Sequence, residues 1–449
     1  MALSGLEIYK LLPKTNCKEC GFPTCLAFAM KLAAKQVELD ACPYVSAEAK
    51  EALSAAAAPP IRLIKLGSGR REFQIGNETV LFRHEKTFFN KPGLALRIKD
   101  TEPAEEMTAK VETVHAYSVE RVGMEMTFNA IAVENASGDA DTFARTVAAI
   151  RARTDLPFVL ISNRADALKA ALAQEGGHKP LLYAATVENW EAMADVAKAG
   201  GVSLAVRSRD GLDELADLTT KLNNAGVADL VLDPGSRDLA GSLAQLTQIR
   251  RLALKKNYRP LGYPIITFPG EVASSEEEEV VAAAQYIAKY AGIVVLDHFD
   301  PAVAYPLLTL RLNIYTDPQK PISVDPGIYE FNHPGSDSPL LTTTNFSLTY
   351  FSVAGELDGS GIPSWLLVCD AEGMSVLTAW AAGKFDAETI AKAVKTTGVA
   401  EKLNHRKLTI PGHVAVLSGE LEDELPGWEI QVGPREAVDI PAYLKVWKQ

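Results

Sequence analysis

The 449-residue sequence lacks the features that mark several classes of protein. No uninterrupted apolar run reaches the roughly 20 residues needed to span a bilayer. The N-terminus has none of the basic, apolar and small-residue regions of a signal peptide. Basic residues are also scarce, since 45 Lys+Arg stand against 57 Asp+Glu and give a net charge of −12, unlike most nucleic-acid or anionic-membrane binders. We expect a cytoplasmic protein that binds neither nucleic acid nor membrane.

Cysteine is also rare, with five residues, but four of them fall in the first tenth of the chain: Cys17, Cys20, Cys25 and Cys42. The fifth, Cys369, stands alone and is expected to be a small buried residue. Disulfides are uncommon in the cytosol, so clustered thiols there indicate metal binding. Gly21 allows a tight loop around the first three thiols, and a helical pattern over 26–39 returns the chain to Cys42.

Three kinds of site fit these thiols: a disulfide pair, a structural zinc ion and an iron–sulfur cluster. Zinc usually draws its ligands from two separate Cys-x-x-Cys pairs. A three-Cys loop, a distant Cys followed by Pro43, and an apolar shell of Leu26, Phe28 and Met30 suit a cubane better. The spacing matches neither ferredoxin pattern, and we favour a [4Fe-4S] cluster over the other two. Small residues and two prolines after the cysteines, residues 54–60, predict a hinge or linker.

The middle of the chain alternates short apolar strands with amphipathic helices. Eight strands are predicted, at 128–133, 158–161, 181–184, 203–206, 230–233, 265–267, 293–296 and 322–329. Helices are predicted between them at 141–153, 164–175, 187–199, 212–225, 238–256 and 276–291. Eight such units predict a closed (β/α)8 barrel, with an open doubly wound sheet as the alternative. The preceding β-type runs, including 94–98, are interpreted as a partly paired lead-in.

Barrel chemistry is expected at the carboxyl ends of the strands. The candidates there are Glu134, Asn135, Asn163, Asp233, Gly235, Asp297, His298, Asp300 and Asp325. A His between carboxylates, as in 297–300, is able to ligate a metal or move protons. The same residue types also serve as loop caps and ion pairs. No phosphate loop, nucleophile elbow or zinc-protease helix is present in the sequence.

A turn-rich stretch, residues 332–339, marks the start of a smaller α/β domain. Its predicted strands lie at 348–353, 365–368, 414–417 and 429–432, and its helices at 376–382 and 387–396. Turns rich in Gly, Ser, Thr and Asn follow these strands, which favours a ligand site at their carboxyl ends. The predicted domains are therefore 1–57, a linker and β lead-in at 58–115, the barrel at 116–331, and the tail at 332–449.

The whole chain resembles the large subunit of the corrinoid iron–sulfur protein. The resemblance rests on the head Cys17-x2-Cys20-Gly-x3-Cys25-x16-Cys42, the eight-unit barrel, and two tail segments, residues 343–350 and 372–380. It implies an α/β protein with a small helical Fe-S head, a central TIM barrel and a C-terminal Rossmann-like corrinoid-binding domain.

The resemblance also implies a methyl carrier of the reductive acetyl-CoA (Wood–Ljungdahl) pathway. Its cob(I)amide would take the methyl group of methyltetrahydrofolate on a separate methyltransferase and deliver it to acetyl-CoA synthase/CO dehydrogenase. The [4Fe-4S] cluster would re-reduce inactive cob(II)amide. A smaller barrel subunit would complete a heterodimer, with the corrinoid between that partner and the tail domain. The rival functions are an iron–sulfur electron-transfer subunit without corrinoid and a methyltransferase that binds folate in its own barrel.

The resemblance assigns the cluster to the four head cysteines, Cys17, Cys20, Cys25 and Cys42. It assigns corrinoid contacts to Thr343, Asn345, Thr349, Gly373, Met374, Ser375, Val376, Leu377, Gly433 and Pro434. It names no catalytic side chain, because the cofactor supplies the nucleophile. Many corrinoid proteins bind cobalt through the His of Asp-x-His-x-x-Gly, a motif absent here; His413, in a Pro-Gly-His turn, is therefore not expected to ligate cobalt.

Overall fold

The computed structural model describes residues 5–33, 37, 39–46, 49–50, 53, 59–85, 87–317 and 322–447. The chain divides into two compact units. One comprises Met1–Tyr117 and Thr127–Tyr315, and the other Ser118–Met126 and Thr316–Gln449. The predicted linker lies mostly outside the described residues. No helix among the described residues has the length and apolar character needed to cross a membrane.

The N-terminal head contains two short helices, α1 (Gly5–Leu11) and α2 (Cys25–Ala33). They pack around a small apolar core that includes Ile8, Leu12 and Phe28. Two of the cysteines, Cys25 and Cys42, belong to this core. The head is thus a small helical element, as predicted.

The first unit is built around a closed barrel of eight parallel strands. An antiparallel pair, β1 (Ile64–Leu66) and β2 (Phe73–Ile75), precedes β3 (Gly93–Lys99), and a hairpin, β4 (Ser118–Arg121) and β5 (Met124–Thr127), follows it. The remaining barrel strands are β6 (Ala130–Glu134), β7 (Phe158–Ile161), β8 (Leu181–Ala185), β9 (Ser203–Arg207), β10 (Leu230–Asp233), β11 (Ile265–Thr267) and β12 (Ala291–Leu296). Their order around the barrel is β10-β11-β12-β3-β6-β7-β8-β9. The predicted (β/α)8 architecture is confirmed.

The barrel helices follow the apolar periodicity of the sequence. They are α3 (Ala104–Ala116), α4 (Ala140–Arg151), α5 (Ala165–Leu172), α6 (Trp190–Gly200), α7 (Leu212–Asn224), α8 (Leu239–Lys256), α9 (Glu276–Ala288) and α10 (Pro301–Tyr315). Asp139, Asp238 and Ser275 cap three of them by accepting a backbone N–H of the first turn. The β1–β2 pair closes the N-terminal end of the barrel, where Phe73 lies so close to Gly93 that a Cβ there would be 2.4 Å from the ring.

One barrel strand was predicted in the wrong place. The run 322–329 does not enter the barrel; instead Gly93–Lys99, interpreted as part of the lead-in, pairs with both β12 and β6 and closes it. The misassignment arose because a hairpin that belongs to the second unit separates β3 from the next barrel strand. The barrel therefore begins at Gly93 and its last helix ends at Tyr315, which differs from the predicted range 116–331.

The second unit contains a five-stranded sheet in the order β13-β15-β14-β16-β17. The strands are β13 (Gly327–Phe331), β14 (Leu340–Thr344), β15 (Ser364–Cys369), β16 (Lys407–Ile410) and β17 (Glu429–Val432). Only β13, at the edge, runs antiparallel. The helices are α11 (Ser347–Ser360), α12 (Val376–Ala381), α13 (Ala387–Thr396), α14 (Val399–Lys402), α15 (Ser418–Glu424) and α16 (Ile440–Val446). Separate apolar clusters contain alternate residues of the central strands, so the sheet is covered on both faces.

Three tail predictions are wrong. The run 348–353 is part of α11 rather than a strand, because Val353, Ala354 and Leu357 pack toward the sheet at helical spacing. The run 414–417 is a 3-10 helix, and the strand lies earlier, at Lys407–Ile410. The Thr- and Asn-rich stretch 342–345 is among the predicted turns, yet residues 342–344 belong to the central parallel strand β14, whose residues are all buried. Tertiary burial outweighs local propensity at each of these positions.

Candidate functional sites

The four head cysteines lie on two segments of one small element, called here its two arms. The first arm, residues 16–25, carries three of the cysteines, and the second, residues 42–44, carries Cys42. Cys17 is exposed and Cys20 half-buried, whereas Cys25 and Cys42 are 6% and 3% exposed. Asn16 fixes the loop against the start of α2, since its side-chain oxygen accepts the Cys25 N–H at 2.8 Å and its own N–H donates to Cys25 Sγ at 3.4 Å. The arrangement combines soft donors, an apolar surround and an N–H directed at sulfur, which are features that suit an iron–sulfur cluster.

A second contact ties the two arms together. Tyr44, two residues after Cys42, donates its hydroxyl to Glu19 at 2.8 Å. The hydrogen bond and charge of Glu19 raise the pKa of Tyr44. Within the described part of the chain, no three His, Cys, Asp or Glu side chains form a group able to hold a single metal ion.

The barrel mouth is occupied by a network of paired charges. Arg97, on β3, donates to both oxygens of Asp297 at 2.6 and 2.5 Å and to Glu271 at 2.9 Å. Arg237 joins Glu271 at 2.5 Å to the fully buried Asp233 at 2.8 Å. Burial opposes the charge on Arg97, but its hydrogen bonds and Coulomb attraction to Asp297 keep the pKa above the ordinary value.

The same balance holds for Asp233. Burial alone would raise its pKa, but hydrogen bonds and charge from Arg237, and the Tyr183 hydroxyl at 2.6 Å, hold the pKa below the usual range. The carboxylates at the mouth are thus matched with arginines. This arrangement stabilises a folded barrel and leaves these groups engaged with one another.

The predicted metal or proton-transfer group at 297–300 is dispersed among structural roles. Asp297 pairs with Arg97, and His298 Nδ1 lies 2.6 Å from the buried Glu279. Asp300 accepts the Ala302 N–H at 2.7 Å in the first turn of α10. The other candidates at the strand ends also have structural roles. Glu134 lies 3.5 Å from Arg97, Asn135 donates to Ser162, and the carbonyl of Asn163 accepts from Asn189. Gly235 forms a turn with φ 83°, and the carbonyl of Asp325, which belongs to the second unit, accepts from Tyr329.

The tail sheet contains a topological switch point, where successive strands are added first on one side of β14 and then on the other. From β14 the chain passes through α11 to β15 on one side, and it then crosses to β16 on the other side. β14 pairs with β15 over five residues but with β16 only at Leu341↔Thr409. In open α/β sheets, ligands bind outside the carboxyl ends of strands at such a point.

A pocket of about 360 Å³ opens beside these strands. Its walls are mainly apolar and hydroxyl side chains, and its rim carries the exposed side chains of Leu348 and Leu377, 52% and 47% exposed. Seven predicted contact residues line it: Thr343, Thr349, Ser375, Val376, Leu377, Gly433 and Pro434. Residues that the sequence analysis did not select also line it, including Leu341, Thr342, Ser352, Val353, Thr409, Ile410, Pro411, His413, Arg435, Glu436, Ala437 and Ile440.

Three predicted contact residues are not in the pocket lining. Asn345 uses its side-chain oxygen to accept the N–H groups of Ala371 and Gly373, both at 3.0 Å, and it donates to Asp370. Gly373 has a φ of 72° in this turn, and Met374 packs against an apolar core. Asn345 therefore positions the loop that leads to Ser375.

Buried hydroxyls without partners lie at the end of β14. Thr343, Thr344 and Ser347 are at most 1% exposed, and their side-chain oxygens have no hydrogen-bond partner among the described residues. An unsatisfied buried hydroxyl is costly. Because Thr343 also lines the pocket, its oxygen is a candidate to bind a polar group of a ligand. Cys369, nearby on β15, is fully buried, which raises the pKa of its thiol to about 12.

Comparisons with known proteins find relatives along nearly the whole chain. A family model described as CO dehydrogenase/acetyl-CoA synthase delta subunit matches residues 63–444, and an Fe-S cluster model matches residues 12–44. The chain is 49% identical to a corrinoid/iron-sulfur protein large subunit of Moorella thermoacetica, with 99% of each chain covered. It is 37% identical to an acetyl-CoA decarbonylase/synthase complex subunit gamma of Methanothermobacter thermautotrophicus, again over 99% of each.

Solved structures that align with part of the chain include a dihydropteroate synthase. Dihydropteroate synthase from Thermus thermophilus aligns with a TM-score of 0.39 and 17% identity, over 57% of this chain and 100% of that chain.

We predict that Arg97→Met lowers the free energy of unfolding by about 3 kcal/mol at pH 7, because it leaves partly buried carboxylates without their partner. Urea denaturation measures the loss. Arg62→Met is the matched control, since the Arg62–Asp229 pair is about half exposed and is worth less than about 1 kcal/mol. Equal losses in the two variants would contradict the assigned role.

The pKa of Asp233 is lower in the folded protein than in the unfolded chain. Its contribution to the free energy of unfolding is therefore fully present above the unfolded pKa, and it is lost as pH falls through the folded pKa.

Thr343→Val is predicted to raise the free energy of unfolding by about 1 kcal/mol, because it removes an unsatisfied buried hydroxyl at nearly constant volume. Thr342→Val, one residue earlier, should lower it by about 1 kcal/mol, since the Thr342 hydroxyl donates to the Leu367 carbonyl at 3.0 Å. Urea denaturation of both ligand-free variants tests the contrast. A destabilised Thr343→Val protein would mean that this hydroxyl has a partner.

Proposed function

The chain belongs to the family of the corrinoid/iron–sulfur protein large subunit, and from that premise we propose that it is a methyl carrier. It is a corrinoid and iron–sulfur protein of the acetyl-CoA pathway. In the proposal it accepts the methyl group of methyltetrahydrofolate from a separate methyltransferase and delivers it to acetyl-CoA synthase/CO dehydrogenase. The corrinoid, when bound, supplies the cobalt nucleophile, and the [4Fe-4S] cluster supplies the electron that restores it.

One observation carries this proposal: a four-thiol head and a switch-point pocket occur on the same chain. Cys17, Cys20, Cys25 and Cys42 would hold the cluster, with the Asn16 N–H directed at Cys25 sulfur. A mainly apolar pocket with an unsatisfied Thr343 hydroxyl suits one side of a large macrocycle with polar substituents. The exposed rim residues would be covered by the cofactor and by a smaller barrel subunit, the proposed partner in a heterodimer.

The residues of the tail divide into two groups under this proposal. Thr343, Thr349, Ser375, Val376, Leu377, Gly433 and Pro434 would contact the corrinoid, since they line the pocket. Asn345, Gly373 and Met374 would act indirectly, because they shape the loop between β15 and α12. The barrel would serve as scaffold, in keeping with the ion pairs at its mouth, where Arg97 binds Asp297 and Glu271 and Arg237 also binds Glu271.

The test of the proposal begins with an ultraviolet–visible spectrum of the protein purified anaerobically. Corrinoid and cluster absorb differently, so the proposal requires both signatures. A cluster spectrum without corrinoid would instead support an electron-transfer subunit. Equilibrium binding of methyltetrahydrofolate to the isolated chain would support a methyltransferase that uses its own barrel.

We predict that Cys20→Ala loses the intact four-iron cluster but retains corrinoid and a folded barrel. Cys20 is the safer position to change, because Cys25 and Cys42 form part of the apolar core. Methyl transfer from chemically pre-reduced protein should survive, while reactivation of the oxidised protein should fail. Cys369→Ala is the control, since it also removes a thiol yet should keep the cluster. Equal loss of both activities in Cys20→Ala would refute a role in reactivation.

We also predict that cobalt receives no nitrogen ligand from this chain. His413 is the histidine in the described pocket lining, and its Nε2 lies 3.5 Å from Glu436. A strong axial nitrogen would stabilise the oxidised cofactor and oppose its reduction. Electron paramagnetic resonance of the cobalt(II) protein should show no axial ¹⁴N splitting, and the spectrum should be the same in His413→Ala and in the control His405→Ala, whose ring bonds to the Ser338 carbonyl instead. A nitrogen triplet that disappears only in His413→Ala would sink the prediction.

A further inference from the structure

The side of the pocket formed by residues 433–437 is held firmly against the neighbouring strand. The Gly433 N–H donates to the Ile410 carbonyl, and the Gly412 N–H donates to the Pro434 carbonyl, both at 2.9 Å. A Cβ at Gly412 would lie 2.6 Å from the Gly433 oxygen, so no larger residue fits there without displacement. The backbone that carries Arg435 is therefore fixed relative to the pocket.

Arg435 is the single Lys or Arg in the described lining of this pocket. It is exposed, and it makes no hydrogen bond or ion pair with any other residue that the structure describes. At the barrel mouth, by contrast, Arg97 is paired with three carboxylates and Arg237 with two. Most lining residues are apolar or carry a hydroxyl, so an unpaired guanidinium is unusual in this pocket.

The one acidic residue in the described lining of the pocket, Glu436, forms no ion pair with this cation. Glu436 follows Arg435 in the chain and also lines the pocket. Its carboxylate lies 3.5 Å from Nε2 of His413, which is in the segment that follows β16. Glu436 is 72% exposed and is well solvated. The pocket therefore presents one positive group that is free to meet an anion.

We propose that Arg435 binds the phosphate of the corrinoid's nucleotide tail. This inference rests on the proposed function. The substituents around a corrin ring are neutral amides, so the phosphodiester that joins the ring to its lower base is the anionic group available to a cation. A guanidinium matches a phosphate with two parallel hydrogen bonds. The pocket would then select corrinoids that carry a tail phosphate over those that do not.

The test compares three corrinoids with the full-length, corrinoid-depleted protein in its native complex: cobalamin, cobinamide phosphate and cobinamide. Dissociation constants are measured by spectrophotometric titration. Arg435→Gln should weaken cobalamin and cobinamide phosphate about tenfold and leave cobinamide unchanged. Arg435→Lys should recover part of the loss. Lys445→Gln, which removes an exposed positive charge of α16 outside the pocket lining, should bind all three like the native protein.

Each remaining outcome has a distinct meaning. Equal weakening of all three corrinoids by Arg435→Gln, or no weakening of any, would overturn the assignment to phosphate. Weakening of cobalamin alone would place Arg435 against the lower base instead and would also overturn it. If the native protein bound none of the three corrinoids, the proposed function itself would fail. Circular dichroism confirms that the variants are folded, so a binding loss is not an unfolding effect.

Discussion

The pairing pattern around β14 is the constraint on which the tail site depends. Parallel strands need crossover connections, and the chain leaves β14 toward one side of the sheet and returns on the other. The connections therefore diverge at the carboxyl end of β14, and β14 pairs with β16 at a single residue pair, Leu341 with Thr409. A cleft opens there, and its walls are formed mainly by apolar and hydroxyl side chains. Thr343, whose hydroxyl has no partner among the described residues, and Arg435 both line this cleft.

In the N-terminal head, the same cysteines serve both packing and ligand supply. A segment this short cannot bury a large apolar core, and its small core is formed partly by Cys25 and Cys42 themselves. The same thiols thus contribute to packing and supply soft ligands. Asn16 and Tyr44 hold the two arms in place through one hydrogen bond to the Cys25 N–H and one to Glu19. Cluster binding in the proposed function would add to this limited intrinsic stability.

The barrel contributes in a third way. Its mouth, where barrel enzymes hold their reactive groups, contains arginines and carboxylates that satisfy one another. The proposed chemistry is supplied by cofactors at other places, so the barrel has no need of an open charged site. The chain thus combines a tail with an open pocket, a thiol-rich head and a barrel whose mouth charges pair with one another.

The sequence by itself determined the features that follow from local spacing. The four cysteines, the repeated strand–helix units and most helix limits could be predicted, because each depends on residues close together in the chain. Tertiary structure decided the rest. The run 348–353 has the residues of a strand but forms a helix, since its half-buried Tyr350 and Val353 pack, at helical spacing with Leu357, against one apolar cluster of the sheet. Gly93–Lys99 enters the barrel because β12 and β6 are both available to pair with it. Thr343, Arg435 and His413 meet at one pocket only because the crossover brings β14, β16 and β17 side by side, and no local pattern encodes that adjacency.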